Sequence, residues 1–207
     1  VKIAVINYGM GNLGSVRRAL EDLRLDVTIA EHPLALFDAH RIILPGVGAF
    51  GEGMARLRAG GWVDALQRAV LEGGRPLLGI CLGMQMLATS SEELGTHAGL
   101  DFVPGRVQRL DALGSALRVP HVGWNEVAHR DTDPLFAGIP QGMDFYFVHS
   151  YGFAVDDPAH VSATTDYGVS VTAAVSRGHV FGTQFHPEKS SKAGRQVLRN
   201  FVDVPAC

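Results

Sequence analysis

PLLGICLGMQML (76–87) is the stretch on which the fold turns. Residues 76–80 form a short apolar run, which predicts a buried strand, and residues 82–88 carry on as a helix. Between them stands Gly79-Ile80-Cys81-Leu82-Gly83, the G-x-S-x-G spacing of a nucleophile elbow with cysteine in place of serine. The glycines follow from the geometry. A strand that reverses sharply into a helix leaves no room for side chains two residues either side of the turn. The residue at the apex protrudes beside a helix N-terminus, where a thiolate is favoured. A cysteine packed between strand and helix is the alternative reading, since free cysteine is among the most buried residue types.

Working outward, KIAVIN (2–7) is a strand that stops at Tyr8-Gly9-Met10-Gly11. Residues 12–25 place Leu13, Val16, Leu20 and Leu23 at helical spacing, with Arg17, Arg18, Glu21 and Asp22 between them. DVTIA (26–30) and RIILPG (41–46) are two more strands, the second halted by Pro45. Residues 51–72 carry helical periodicity broken at Gly60-Gly61. Strand alternating with helix predicts a parallel sheet covered on both faces. Beyond residue 100, short β-type runs dominate: 103–109, 116–119, 143–149, 160–165, 169–176 and 179–185. Ser176-Arg177-Gly178-His179 reads as a hairpin turn between the last two, and residues 192–201 as a closing helix. The expectation is one α/β domain over 1–207, its parallel sheet extended by a mixed β region from the C-terminal half.

Composition narrows the function. With 46% hydrophobic and 19% charged residues, the chain has enough apolar matter for a core and too little charge for disorder. A net charge of −3 offers no basic footprint for nucleic acid. No apolar run approaches the roughly 18 residues of a membrane span, and VKIAVIN is too short for a signal peptide's apolar region. Cys81 and Cys207 cannot build a disulfide framework, and neither CxxC nor HExxH occurs, so no metal is expected. The expectation is a soluble cytoplasmic protein with neither nucleic acid nor membrane as partner. Glycine is in excess, at 25 residues. Nine of these stand at 9, 11 and 14, at 46, 48, 51 and 53, and at 79 and 83. Each group follows a predicted parallel strand, so all should gather at one sheet edge, where α/β ligand sites form. GMGNLGS has the outline of a dinucleotide loop, but no clear ribose-binding acid follows apart from Glu31 at about the right distance. It is read as a surface loop on the rim.

A nucleophilic cysteine needs a base. Of nine histidines, His186 stands out, following the apolar run Val180-Phe181-Gly182-Thr183-Gln184-Phe185 in the sequence His186-Pro187-Glu188. If strand geometry continues, residues two apart point the same way, and Glu188 orients the imidazole while its other nitrogen faces the thiol. A strand-end histidine in a turn is the alternative. The zinc-deaminase reading of H-x-E fails because no P-C-x-x-C follows.

GICLGMQ, with FHPE about a hundred residues on, resembles the class I, triad-type glutamine amidotransferases. NYGMGNLGS (7–15), PGVGAFGEGM (45–54), CLGMQML (81–87), PHVGWNEV (120–127), FYFVHSY (145–151) and FGTQFHPEKSS (181–191) narrow the resemblance to one branch. These are the glutaminase subunits of imidazole glycerol phosphate synthases, in histidine biosynthesis. The resemblance spans essentially the whole chain. It implies a three-layer, flavodoxin-like α/β fold with a central, mostly parallel sheet. It implies Cys81 as nucleophile on the side-chain amide of L-glutamine, His186 as base and then acid, and Glu188 as its orienter. Leu82, Val47 and Gly48 would supply the oxyanion hole. Gly46, Gln85, His149, Ser150 and Tyr151 would bind substrate, with Gln85 one helical turn after Cys81. Asn12, Trp124 and Lys189 would face the partner, a separate (βα)8-barrel cyclase subunit that receives the ammonia in a heterodimer. That cyclase turns a phosphoribosyl formimino carboxamide ribonucleotide into imidazole glycerol phosphate and an aminoimidazole carboxamide ribotide, and 207 residues leave no room for it. No cofactor is implied. Plainer roles stay open: an exposed helix residue for Gln85, a core aromatic for Trp124, a strand-ending turn for residues 45–48. So do other functions: an amidotransferase subunit of another pathway such as anthranilate synthesis, a non-catalytic subunit with the same fold, or a cysteine peptidase or hydrolase.

Overall fold

The computed structural model describes residues 1–205, so Cys207 lies outside the described residues. The first part of the chain is β1 (Lys2–Ile6), α1 (Leu13–Glu21), β2 (Asp26–Ala30), β3 (Arg41–Gly46), α2 (Phe50–Ala59), α3 (Trp62–Leu66), β4 (Leu77–Cys81) and α4 (Leu82–Gln85). The remainder is β5 (Ser90–Ser91), β6 (His97–Ala98), β7 (Gly105–Arg109), β8 (His121–His129), β9 (Met143–His149), β10 (Tyr151–Val155), β11 (Val161–Asp166), β12 (Ser170–Arg177), β13 (Val180–Thr183) and α5 (Ser191–Asp203).

A nine-stranded sheet runs β2-β1-β3-β4-β13-β12-β11-β8-β9. Neighbours from β2 to β13 are parallel, and those from β13 to β9 are antiparallel. Its central strands alternate between two cores. Ala4, Ile6, Ile42 and Leu44 face one side with Met54, Leu57 and Trp62 of α2 and α3. Ile3, Val5 and Ile43 face the other with Val16 and Leu20 of α1 and Val197 and Phe201 of α5. Period-2 strands between period-3.6 helices give three layers. A smaller sheet, β10-β7-β5-β6, lies beside them.

The central register positions everything that follows. Gly46, the last residue of β3, pairs with Cys81, the last of β4. Ile80 pairs with Thr183, the last of β13. Three parallel strands thus end side by side, and their outgoing loops meet at one edge.

Several boundaries differ from the sequence reading. Residues 116–119 form no strand, because Pro120 supplies no N–H to a ladder; the strand starts one residue later, as β8. Its alternation is disguised by Gly123. β10 and the short β5 and β6 were not expected. The helix anticipated over 82–88 closes at Gln85, since the carbonyls of Met86, Leu87 and Ala88 turn to accept from Leu100, Phe102 and Asp101. The helical stretch after Gly60-Gly61 finishes as a π-turn over Gln67–Glu72. The last apolar strand stops at Thr183, short of 185.

The elbow glycines are sterically required. A Cβ at Gly79 would stand 2.6 Å from the Gly83 carbonyl oxygen, and one at Gly83 would overlap the Leu44 carbonyl. Because both obstacles are backbone, no rotamer relieves them. Gly83→Ala is expected to cost at least about 3 kcal/mol and lower Tm by roughly 6–12 °C, or to prevent folding. Thermal denaturation followed by circular dichroism checks this; an unchanged Tm would contradict it.

Candidate active site

Cys81 stands at the β4–α4 junction with φ 56° and ψ −110°, a left-handed backbone that a non-glycine residue adopts only when its surroundings force it. The forcing comes from β4 pairing on one side and the α4 start on the other. Cys81 is the N-cap of α4, so the Leu82 N–H lies in the first turn, where helices have donors without internal partners. The Cys81 thiol lies 3.9 Å from the Val148 carbonyl, and its sulfur lies 3.7 Å from the amide nitrogen of Gln184.

His186 follows β13 and is held by its backbone. Its N–H donates to the Tyr146 carbonyl at 2.9 Å, and its carbonyl accepts from the Ser190 hydroxyl at 2.6 Å. Ser190 Oγ in turn accepts from the Tyr146 N–H at 3.0 Å. The side chain pairs with Glu188, Nδ1 to Oε1 at 2.7 Å, both side chains being buried. The anticipated pairing therefore occurs, but on a different geometry. Residues Pro187–Lys189 form a 3-10 turn, and that turn, not a continued strand, folds Glu188 back onto the ring. His186 Nε2 is buried and has no hydrogen-bond partner among the described residues. Burial works against the charged imidazole, but the Cys81 sulfur and the Glu188 carboxylate outweigh it and push the group up to about 9.

A cavity of about 400 Å³ opens over this pair. It brings together Cys81, His186, Leu82, Val47, Gly48, Gln85, His149, Ser150 and Tyr151. Gly46 stays behind the wall; a Cβ there would meet the Tyr8 hydroxyl at 2.7 Å and Leu82 at 2.9 Å. Gly48 has φ 104°, a conformation that leaves residues 47–48 free of the usual side-chain constraint. The 149–151 segment is less available than expected. The Ser150 carbonyl accepts from the Leu110 N–H, and the Tyr151 carbonyl already accepts from the Gln85 amide at 3.0 Å and from His149 Nδ1 at 2.8 Å.

Asn12, Trp124 and Lys189 lie outside the cavity. Asn12 N-caps α1 through its side chain, which accepts from the Ser15 N–H at 3.3 Å. Trp124 is 53% exposed on β8 and meets Tyr146 edge-on at 6.0 Å. The Lys189 ammonium sits 5.8 Å over the same Tyr146 ring. Trp124 with exposed Val122 and Val148 makes an apolar patch beside the cavity mouth, since Val122 pairs with Val148, which lines the cavity. Sequence reasoning missed Gln184 and His121, both fully internal. The usable signal for Gln184 was an amide inside an apolar strand run, which must find partners when buried. Among the described residues, no group of three or more His, Cys, Asp or Glu side chains is placed to hold a metal ion.

The family model for class-I glutamine amidotransferases matches residues 4–204. The chain belongs to the class-I glutamine amidotransferases. Among its relatives in this family, the protein named imidazole glycerol phosphate synthase subunit HisH from Moorella thermoacetica is 51% identical over 202 residues, covering 98% of this chain and 94% of that one. The protein of the same name from Halobacterium salinarum is 54% identical over 211 residues, covering 99% and 94%. The amidotransferase fold is shared by solved structures of much lower identity. A crystal structure of a glutamine amidotransferase matches with TM-score 0.76 at 20% identity, covering 97% of each chain. The structure of PurLQS from Thermotoga maritima matches with TM-score 0.75 at 19% identity, covering 98% and 97%. As a class-I amidotransferase of the HisH branch, the chain is an enzyme that hydrolyses glutamine. No helix among the described residues is long and apolar enough to cross a membrane.

Proposed function

We propose that this amidotransferase is the glutaminase subunit of an imidazole glycerol phosphate synthase, and that Cys81, His186 and Glu188 are its catalytic triad. The observation that carries the triad is a single cavity bounded by a strained cysteine and by a histidine whose far nitrogen is held at 2.7 Å by a buried carboxylate. Cys81 and Glu188 hold His186 protonated near neutral pH, so the thiol proton rests on His186 Nε2 before attack, and Cys81 Sγ then attacks the side-chain amide carbon of L-glutamine. The imidazolium then protonates departing ammonia, leaving a γ-glutamyl thioester. Water attacks the thioester with His186 as base, the thiolate leaves, and glutamate is released. The oxyanion of each tetrahedral intermediate is stabilised by the Leu82 N–H and by a donor from Val47 or Gly48. Gly46 shapes the wall behind Cys81, and Gln85, His149, Ser150 and Tyr151 form the glutamine pocket. Thiol, imidazole and carboxylate suffice for this chemistry without a cofactor.

The ammonia goes to a separate barrel-shaped cyclase subunit, and the assembly works in the cytoplasm. Support comes from the HisH names of relatives, which call them subunits, and from the exposed Trp124, Val122 and Val148 beside the cavity mouth. Asn12 and Lys189 complete this face. Tyr146 joins the patch to the site, since its backbone holds His186 while its ring touches Trp124. The isolated chain is expected to hydrolyse glutamine slowly, and the cyclase with its nucleotide ligand to accelerate it by adjusting residues 47–48. Glutamate release from the chain alone, with cyclase, and with cyclase plus nucleotide tests this; equal turnover in all three would contradict it. Trp124→Ala is expected to weaken the cyclase complex at least about 30-fold, as a central aromatic anchor does. Titration calorimetry reads that, and unchanged affinity would remove Trp124 from the interface.

A further inference from the structure

The geometry points to Asn125 and His121 as positioning residues for glutamine binding, acting through one polarised hydrogen-bond chain that fixes the Gln85 and Gln184 amides beside Cys81. This rests on the glutaminase reading above. The polarity follows from one group that can only accept, the Tyr151 carbonyl. His149 Nδ1 lies 2.8 Å from it and must carry a proton. A neutral imidazole has one N–H, so His149 Nε2 is an acceptor. His121 Nδ1 lies 3.0 Å from that nitrogen and must donate to it. His121 Nε2 is then an acceptor, and the Asn125 amide nitrogen stands 3.3 Å away. Asn125 cannot turn over. Its amide nitrogen also donates to the Asp166 carbonyl at 2.8 Å, and its oxygen accepts from the Glu126 N–H at 2.9 Å.

The chain continues past the carbonyl. Tyr151 O takes its second hydrogen bond from Gln85 Nε2 at 3.0 Å. The same nitrogen donates to Gln184 Oε1 at 2.9 Å, which turns Gln184 Nε2 toward the Cys81 sulfur at 3.7 Å. Both N–H groups of Gln85 are therefore used internally, and among the described residues its oxygen has no hydrogen-bond partner. Gln85 thus offers the cavity an acceptor, suited to an N–H group of the substrate. His121 is clamped between Phe147 and Tyr167, with ring centroids 4.8 and 4.0 Å away. Both histidines are buried, and burial pushes each down to about 4, so both stay neutral. Neither His121 nor Asn125 lines the cavity, and their effect on substrate passes through Tyr151 and Gln85.

His121→Phe keeps the stacked ring and removes both nitrogens. It is expected to raise KM for glutamine about tenfold while kcat changes less than about threefold, because an oriented pocket is lost and the triad is not. Asn125→Ala, on a half-buried strand position, should move KM in the same direction. His121→Asn restores a donor near Nδ1 and should recover most of the lost affinity. In ¹⁵N-histidine-labelled wild-type protein, long-range NMR correlations should show His121 and His149 both protonated at Nδ1. An Nε2–H tautomer at His149, or wild-type KM in both His121→Phe and Asn125→Ala, would overturn the inference. Cys81→Ala run in parallel separates the two failures. If wild-type hydrolysis does not depend on Cys81, the glutaminase reading falls. If it does and KM never moves, only the chain's role falls.

Discussion

Cys81→Ala removes glutamine-dependent synthesis by about 10⁴-fold or more, while synthesis from added ammonia by the same complex continues. The split follows from where Cys81 sits. Among the described residues its sulfur has two weak hydrogen-bond contacts, to the Val148 carbonyl and the Gln184 amide, so alanine leaves these unmade and strands no buried charge. The strained backbone is retained, because alanine adopts the cysteine conformation with the same Cβ. The fold and the exposed Trp124 patch are therefore preserved, and only the chemistry at Cys81 is lost. Steady-state assays of the complex with glutamine and with ammonium salt read the two activities separately. Parallel loss of both would make Cys81 structural.

Glu188→Gln lowers kcat/KM for glutamine by about 10²–10⁴-fold, the scale on which a misoriented base acts. Glu188 accepts from His186 Nδ1 at 2.7 Å and so leaves Nε2 to serve the thiol. A glutamine amide can present a donor there instead and stabilise the wrong tautomer. The variant also changes the pH dependence. The Cys81 sulfur and the Glu188 carboxylate hold His186 up at about 9 against burial. An imidazolium is needed to protonate leaving ammonia, so wild-type kcat/KM falls as pH rises through about 9, and in Glu188→Gln the fall begins at lower pH. Stability follows the same sign. A histidine raised in the folded state contributes stability that is fully present below its ordinary 6.5 and is lost as pH rises through about 9. The variant should flatten that dependence. A pH–rate profile and thermal melts across this window check both. An unshifted alkaline limb would separate Glu188 from His186.

The parts of the site legible in the sequence are those set by local geometry. Gly79 and Gly83 announce a sharp strand-to-helix turn because backbone carbonyls occupy the space of their side chains. Apolar runs alternating with helical ones predicted the parallel half of the sheet, since β1, β3 and β4 are each followed by a helix. His186 and Glu188 were paired for a reason that the structure replaces, a 3-10 turn in place of an extended strand. What stayed hidden depends on distant partners. β10 joins β7 some forty residues earlier, and nothing in either segment specifies that pairing. The polarity of the His121–His149 pair appears only once β8 and β9 set the two residues opposite each other. Gln184 stands in the apolar run before His186, and its partners Gln85 and Cys81 come from about a hundred residues earlier.

The most direct test of the central claim is to quench the enzyme with acid during glutamine turnover and map the adduct by peptide mass spectrometry. A γ-glutamyl group on the Cys81 peptide, absent from Cys81→Ala, is the predicted result. Turnover with no adduct at Cys81, or with the adduct at Cys207, would contradict it.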